Sequence, residues 1–130
     1  LLLLLGGGPR RVRRAASRVI AGDALPTLEA PRVRLRALTD RDIDALFAIF
    51  SDEVMMRFWS TLPMKERAEA ERYLASIRSG FADQTLFQWG VERRDDGEVL
   101  GTCTLFNFHR ASRRAELGYC LRSPWWGKGY

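Results

Sequence analysis

From Arg32 to Ala37 the chain alternates charged and apolar positions, with Val33, Leu35 and Ala37 set between Arg32, Arg34 and Arg36. That is the period of a strand with one buried face. The period then lengthens: Ile43, Leu46, Phe47 and Phe50 stand at i, i+3, i+4 and i+7, which predicts an amphipathic helix with one face for a core. Thr39 followed by Asp42 reads as a capping box at its start. Ser51-Asp52-Glu53 ends it, and Val54 to Trp59 forms an apolar and aromatic segment before Pro63. A second helix is predicted from about Met64 to Ser79 on the stripe Ala70, Tyr73, Leu74 and Ile77, with Gly80 as its stop. Alternation returns at Phe87, Trp89 and Val91, and Arg94-Asp95-Asp96-Gly97 carries tight-turn chemistry. Val99 to Phe108 predicts the next strand, with Leu100, Thr102, Thr104, Phe106 and Phe108 on one side. His109 to Arg113 is a basic turn, and Arg114 to Leu121 a last strand with Tyr119 in the core. Three successive strands joined by short turns predict a meander, so the fold class is α/β of the α+β type, in the order β-α-α-β-β-β with a mainly antiparallel sheet.

Composition narrows the class. The 130 residues are 46% apolar and 28% charged, ordinary for one soluble domain, and no stretch approaches the roughly 20 apolar residues of a membrane span. The formal charge of +5 would suggest a polyanion partner, but residues 1–22 hold five arginines and no acid, leaving 16 basic against 16 acidic residues in 23–130. A short tail of that kind binds phosphate without selectivity, and no specific nucleic-acid partner is expected. Cys103 and Cys120 both fall in strand-like runs, and with His109 as the one histidine their spacing matches no zinc pattern. They read as reduced, packed thiols, which implies a cytoplasmic location and no metal.

Residues 1–30 show no sustained periodicity, so a disordered basic leader is expected there and the domain is expected to begin at residue 31. The chain opens on five leucines and three glycines without a methionine, which suggests a true start elsewhere. The arginines follow the apolar run rather than preceding it, against a signal peptide; the composition matches a solvated tail and, less closely, a transit peptide.

The most informative stretch is Glu116 to Tyr130, in which a strand reaches Ser123-Pro124 and then a Gly-Lys-Gly loop. Glycines let backbone N–H groups approach an anion closely, and a helix start commonly follows such a loop. The stretch E-L-G-Y-C-L-R-S-P-W-W-G-K-G-Y resembles the acyl-CoA-binding segment of the GNAT superfamily of N-acetyltransferases, whose loop pattern is Q/R-x-x-G-x-G/A. Trp126 stands at the Q/R place, as in the branch of ribosomal-protein N-terminal acetyltransferases, and the order of elements from residue 31 to 130 matches the opening half of that fold. The expectation is therefore a chain truncated within the acetyl-CoA loop, inactive as written.

The resemblance implies direct acetyl transfer from acetyl-CoA to a primary amine, a protein N-terminal α-amine or a small amine. It also implies site residues. Gly127, Lys128 and Gly129, opened by Trp126, would offer N–H groups to the pyrophosphate, with Lys128 adding a point charge or facing solvent. The backbone of Cys120, Leu121 and Arg122 would pair with the pantetheine arm. Phe58 and Trp59 would touch the acceptor, or else staple their loop to the core. Glu116 is the candidate general base, against the alternative of a solvated carboxylate paired with Arg113 or Arg114. A CoA-sensing or interaction module without catalysis is the alternative function; Glu116 and an intact Gly-Lys-Gly favour the enzyme.

Overall fold

The computed structural model describes residues 18–130, so most of the expected leader lies outside the described residues. Five strands form one sheet: β1 (Leu28–Glu29), β2 (Val33–Ala37), β3 (Leu86–Arg93), β4 (Val99–His109) and β5 (Arg114–Leu121). They lie in chain order, β1-β2-β3-β4-β5, and every neighbouring pair is antiparallel. Between β2 and β3 run three helices, α1 (Ile43–Phe50), α2 (Glu53–Met56) and α3 (Arg67–Ala82). The meander and the first amphipathic helix stand where the periodicity put them, and the second helix keeps its stripe but begins at Arg67, about three residues later than expected. Two short elements, β1 and α2, carry too few residues to show a period. Ordered backbone also begins before residue 31, because Leu28 pairs with Leu35 and the Pro26 carbonyl accepts the Trp89 indole N–H at 2.9 Å.

The core fills the space between α1, α3 and one face of the sheet. Leu46, Ile49 and Phe50 of α1 meet Ala70, Leu74 and Ile77 of α3, with Val99 and Cys120 below them. Gln88 is 2% exposed, and its burial is tolerated because the Tyr73 hydroxyl is hydrogen-bonded to it at 2.9 Å. The stripe on α3 is the predicted one, but the helix does not stop at Gly80. It continues to Ala82, and the turn out of it passes through Gln84 at φ 57°. Gly80 serves a different purpose: a Cβ there would stand 2.8 Å from the Leu86 Cβ, so glycine lets α3 lie close on β3.

Two further expectations are corrected on β4 and β5. Phe108 does not share a face with Phe106. The β4–β5 register shifts between Phe106 and His109, Asn107 adopts φ 50°, and this bulge turns Phe108 to the far face, 5.2 Å from the Phe87 ring. Tyr119 is not core: it is 76% exposed and Leu117 63%, because β5 is the edge of the sheet and no described element covers their face.

An ionic knot joins sheet to helix layer. Arg36 on β2 makes a forked pair with Asp42 at 2.8 and 3.0 Å and also binds Glu92 on β3. Asp42 in turn accepts the Thr39 N–H at 2.8 Å, the capping box expected at the entry to α1. Burial pushes the Asp42 carboxyl up, but the Arg36 and Thr39 hydrogen bonds and the Arg36 charge outweigh it, and its pKa lies below the ordinary value.

Leu46, fully buried, should cost about 2–5 kcal/mol on replacement by alanine, whereas half-buried Phe47 should cost about 1–2 kcal/mol; urea denaturation of both variants checks the difference. Asp42→Asn should cost about 2–3 kcal/mol at neutral pH, less than a fully buried pair because Arg36 keeps solvent contact. Since the folded pKa of Asp42 is depressed, its contribution is present above the unfolded value of about 3.9 and fades as pH falls through the folded one. Melting curves of wild type and Asp42→Asn should therefore converge below about pH 4; a constant gap down to acid would refute the assignment.

Candidate active site

The candidate site is built at the edge of the sheet, where β5 leaves it. Gly101 of β4 sits opposite Leu121, and a Cβ on Gly101 would stand 1.9 Å from the Cys120 carbonyl oxygen. Only glycine permits that approach, which brings β4 and β5 together at the end where the chain turns. Arg122 N–H then donates to the Leu100 carbonyl at 3.0 Å, so the backbone of Cys120 and Arg122 is directed at β4. By the alternation of an antiparallel ladder, Tyr119 and Leu121 direct theirs at the open edge. The expected pairing surface of Cys120, Leu121 and Arg122 is corrected accordingly: the outward groups are those of Tyr119 and Leu121. The Leu121 carbonyl already accepts the Trp126 indole N–H at 2.7 Å.

A single carboxylate positions the two walls of the site. Asp52 caps α2, accepting N–H groups from Val54 at 3.1 Å and Met55 at 3.3 Å, and its second oxygen accepts the Ser123 N–H at 2.6 Å. The segment that leads from α1 into Phe58 and Trp59 is thereby tied to the segment that leaves β5. Partial burial raises the Asp52 carboxyl, and the Ser123, Met55 and Val54 hydrogen bonds more than reverse it, leaving its pKa lowered. Asp52 was read from sequence only as part of a helix end. The overlooked signal was an Asp directly before an apolar run, which is N-cap chemistry.

Between these walls lies a cleft of about 420 Å³ lined by Met55, Phe58, Trp59, Tyr119, Cys120, Leu121 and Trp126. It brings together five residues singled out in the sequence from segments more than sixty positions apart: Phe58, Trp59, Cys120, Leu121 and Trp126. The Phe58 and Trp126 rings face one another at 6.2 Å. Trp59 also packs edge-on against Phe50 at 5.8 Å, so it both staples its loop and lines the cleft. Tyr119 joins them as a wall residue. The Cys120 thiol, buried and 3.3 Å from the Thr102 hydroxyl, is pushed up by burial, as is Cys103; both are free thiols in the neutral, unreactive form.

The Gly-Lys-Gly loop leads out of the cleft. Gly127 and Gly129 take φ of 70° and 77°, the left-handed region that glycine enters without strain. Lys128 does not point free into solvent: its ammonium lies 5.3 Å above the Trp125 ring, over which the Arg93 guanidinium also sits at 4.4 Å. Arg32 donates to the Lys128 carbonyl and stacks on Tyr130 at 4.3 Å. Arg32 and Lys128 thus bring positive charge to the loop, while the Arg93 charge is shared with Asp96 at 2.6 Å and Glu98 at 3.0 Å. Glu116 stands apart from this assembly. It is exposed on β5, opposite Phe106, does not line the cleft, and makes no hydrogen bond or ion pair among the described residues, Arg113 and Arg114 included.

Comparison with known proteins fits this arrangement. The N-acetyltransferase YoaA of Bacillus subtilis (strain 168), itself uncharacterized, is 32% identical over 105 residues, covering 81% of this chain and 59% of its own. The uncharacterized N-acetyltransferase p20 of Bacillus licheniformis is 26% identical over 106 residues, 82% of this chain and 60% of its own. Among solved structures, a candidate ribosomal-protein-serine acetyltransferase from Vibrio cholerae superposes with a TM-score of 0.71 at 20% identity, over 81% of this chain and 59% of that one. RimL, a ribosomal alpha-N-protein acetyltransferase solved with coenzyme A, gives 0.67 at 14% identity over 80% and 60%. At such identities the likeness to solved structures is one of fold. The chain spans about three fifths of the length of the curated relatives it matches. Residues 32–130 match the model of the acetyltransferase (GNAT) domain, and the chain belongs to that family.

Proposed function

We propose that this chain forms the acetyl-CoA-binding half of an N-acetyltransferase acting on a primary amine, with protein N-terminal α-amines as the favoured acceptors. The observation that carries this reading is the cleft at the edge of β5, where aromatic walls from the α2 segment meet the open backbone of Tyr119, the Leu121 N–H and the glycine loop with Arg32 and Lys128 beside it. The donor set suits the ligand. An extended amide-containing arm can add to an open strand edge, and a pyrophosphate suits a glycine loop flanked by Arg32 and Lys128. Bound there, acetyl-CoA supplies the acyl group that becomes an amide as the thiol departs.

An α-amine suits such a site because its pKa of about 7.7–8.0 leaves a neutral fraction at physiological pH that lysine, at about 10.4, lacks. The family branch with W-G-K-G-Y wording and the fold shared with RimL support the same acceptor class. Glu116 is the proposed proton acceptor, working through water because it stands outside the cleft. Its exposure favours one second reading, a CoA-binding module without transfer; acetyl-CoA binding with no thiol release in any form of the protein would select it. The two free thiols fit a cytoplasmic protein.

In the full-length protein, Gly129→Glu should abolish acetyl-CoA binding in calorimetry by setting a carboxylate against the pyrophosphate, and Trp126→Ala should weaken it by about 1–2 kcal/mol through loss of the aromatic wall. Unchanged affinity in both would remove the loop and the cleft from the site. Asp52→Ala should cost about 1–2 kcal/mol of stability and weaken acetyl-CoA binding although Asp52 lines no wall. Residues 1–130 alone should release no thiol from acetyl-CoA with peptide or small-amine acceptors, because Leu117 and Tyr119 leave the β5 edge uncovered and the reacting groups solvated. Robust turnover by this chain would overturn the placement of the site.

A further inference from the structure

The glycine loop leaves β5 but is held from β2. Two strands, β3 and β4, separate β5 from β2, and the loop crosses that end of the sheet to reach Arg32. The Arg32 backbone is fixed there: its carbonyl accepts the Arg94 N–H at 3.0 Å, and the next residue, Val33, pairs with Arg93. From this point the guanidinium engages the loop in two ways at once. It lies 4.3 Å over the Tyr130 ring, and its Nη1 donates to the Lys128 carbonyl. It also crowds the next residue, since a Cβ added at Gly129 would stand 3.2 Å from the same Nη1. Arg32 therefore occupies the side of Gly129 on which any other residue would carry its side chain.

The carbonyl that Arg32 holds has a rigid partner. The Lys128 C=O and the Gly129 N–H belong to one peptide unit, which is planar and trans, so the two groups point in opposite directions. Fixing the carbonyl on Arg32 fixes the Gly129 N–H on the face of the loop turned away from Arg32. Glycines at 127 and 129, with φ of 70° and 77°, leave the chain otherwise able to turn this peptide over, because glycine enters either hand of φ without strain. The other ring contacts of the loop, Lys128 over Trp125 at 5.3 Å and Trp125 against Tyr130 at 6.5 Å, hold side chains and not this peptide. An outside donor has to choose its orientation, and Arg32 is placed to do so.

We propose that Arg32 is a positioning residue for the acyl-CoA pyrophosphate: by holding the Lys128 carbonyl, it aims the Gly129 N–H at the anion. The inference rests on the acetyl-CoA reading of the loop, and it adds the group that orients the loop from 96 positions earlier in the chain. This role differs from that of a counter-charge. A counter-charge needs only a cation nearby. Orienting the peptide needs a planar group that stacks on Tyr130 and donates in its own plane, which a guanidinium does and an ammonium does not.

The test compares the full-length protein with its Arg32→Ala and Arg32→Lys variants. In calorimetry both variants should bind acetyl-CoA about tenfold more weakly than wild type, because lysine keeps the charge but loses the fork. S-Acetylpantetheine, which carries the acyl arm without the pyrophosphate, should bind all three alike. In isotope-labelled protein without ligand, the Gly129 amide resonance should move in both variants while that of Gly101, inside the β4–β5 ladder, stays. Arg32 is exposed, and equal melting temperatures would show that the variants fold; Arg32→Lys, which keeps the charge and the aliphatic stem, decides the matter if Arg32→Ala melts early. Wild-type affinity in Arg32→Lys would overturn the proposal, since charge alone would then suffice. So would an equal loss for S-acetylpantetheine, or an unmoved Gly129 amide. Wild-type protein that fails to bind acetyl-CoA sinks the acetyl-CoA reading and this inference with it, whereas wild-type binding that both substitutions leave untouched sinks only the role of Arg32.

Discussion

The Asp52 carboxylate is the direct tie between the two walls of the cleft. One oxygen holds the first turn of α2 and the other holds the backbone of Ser123, so two segments far apart in sequence meet at one residue. Each wall has its own anchors besides: Met55 and Met56 are buried and Trp59 packs on Phe50, while Arg122 N–H donates to Leu100 and the Trp126 indole to Leu121. The α2 segment is one turn long, and the chain after β5 is held by a short 3₁₀ turn at Ser123–Trp125. A carboxylate is suited to this joint because it offers two acceptors at fixed separation and takes hydrogen bonds of the strong, charge-assisted kind. Rotation of the Asp52 side chain would break the tie between the two walls.

Around that joint the molecule divides its labour between rigid and open parts. The Arg36–Asp42–Glu92 knot and the Leu46–Leu74–Ile77 core hold sheet to helices. By contrast, β5 presents main-chain groups of Tyr119 and Leu121 and side chains of Leu117 and Tyr119 at an edge with no described neighbour. An edge strand with this much exposed apolar surface is costly when nothing covers it. The glycine loop follows the same logic: its geometry comes from Gly127 and Gly129, while its place is set by the stacking of Arg32, Arg93 and Lys128 on Tyr130 and Trp125.

Much of this was legible in the sequence, for identifiable reasons. Strands β2 to β5 and helices α1 and α3 announce themselves through period, and the Thr39–Asp42 box through spacing, because local sequence decides those features. The family resemblance of Glu116 to Tyr130 located the glycine loop. What escaped was decided by contacts between distant segments. Tyr119 alternates as a core residue would, yet its strand lies at the edge. Phe108 continues the pattern of Phe106 until the bulge at Asn107 inserts a step that no periodicity signals. Gly80 has the look of a helix stop, but its value lies in the approach of Leu86. The role of Asp52 required knowing that Ser123 is beside it.

The bulge in β4 has a mechanical consequence. By sending Phe108 to the far face, it continues an edge-to-face aromatic series from Phe108 through Phe87 to Phe81 near the end of α3, with ring separations of 5.2 and 5.9 Å. Close-packed rings resist compression and transmit displacement, so the β4–β5 turn is braced against the tail of α3 and not against the residues that line the cleft. The two ends of β5 are thus packed against different parts of the molecule, although they belong to one eight-residue strand.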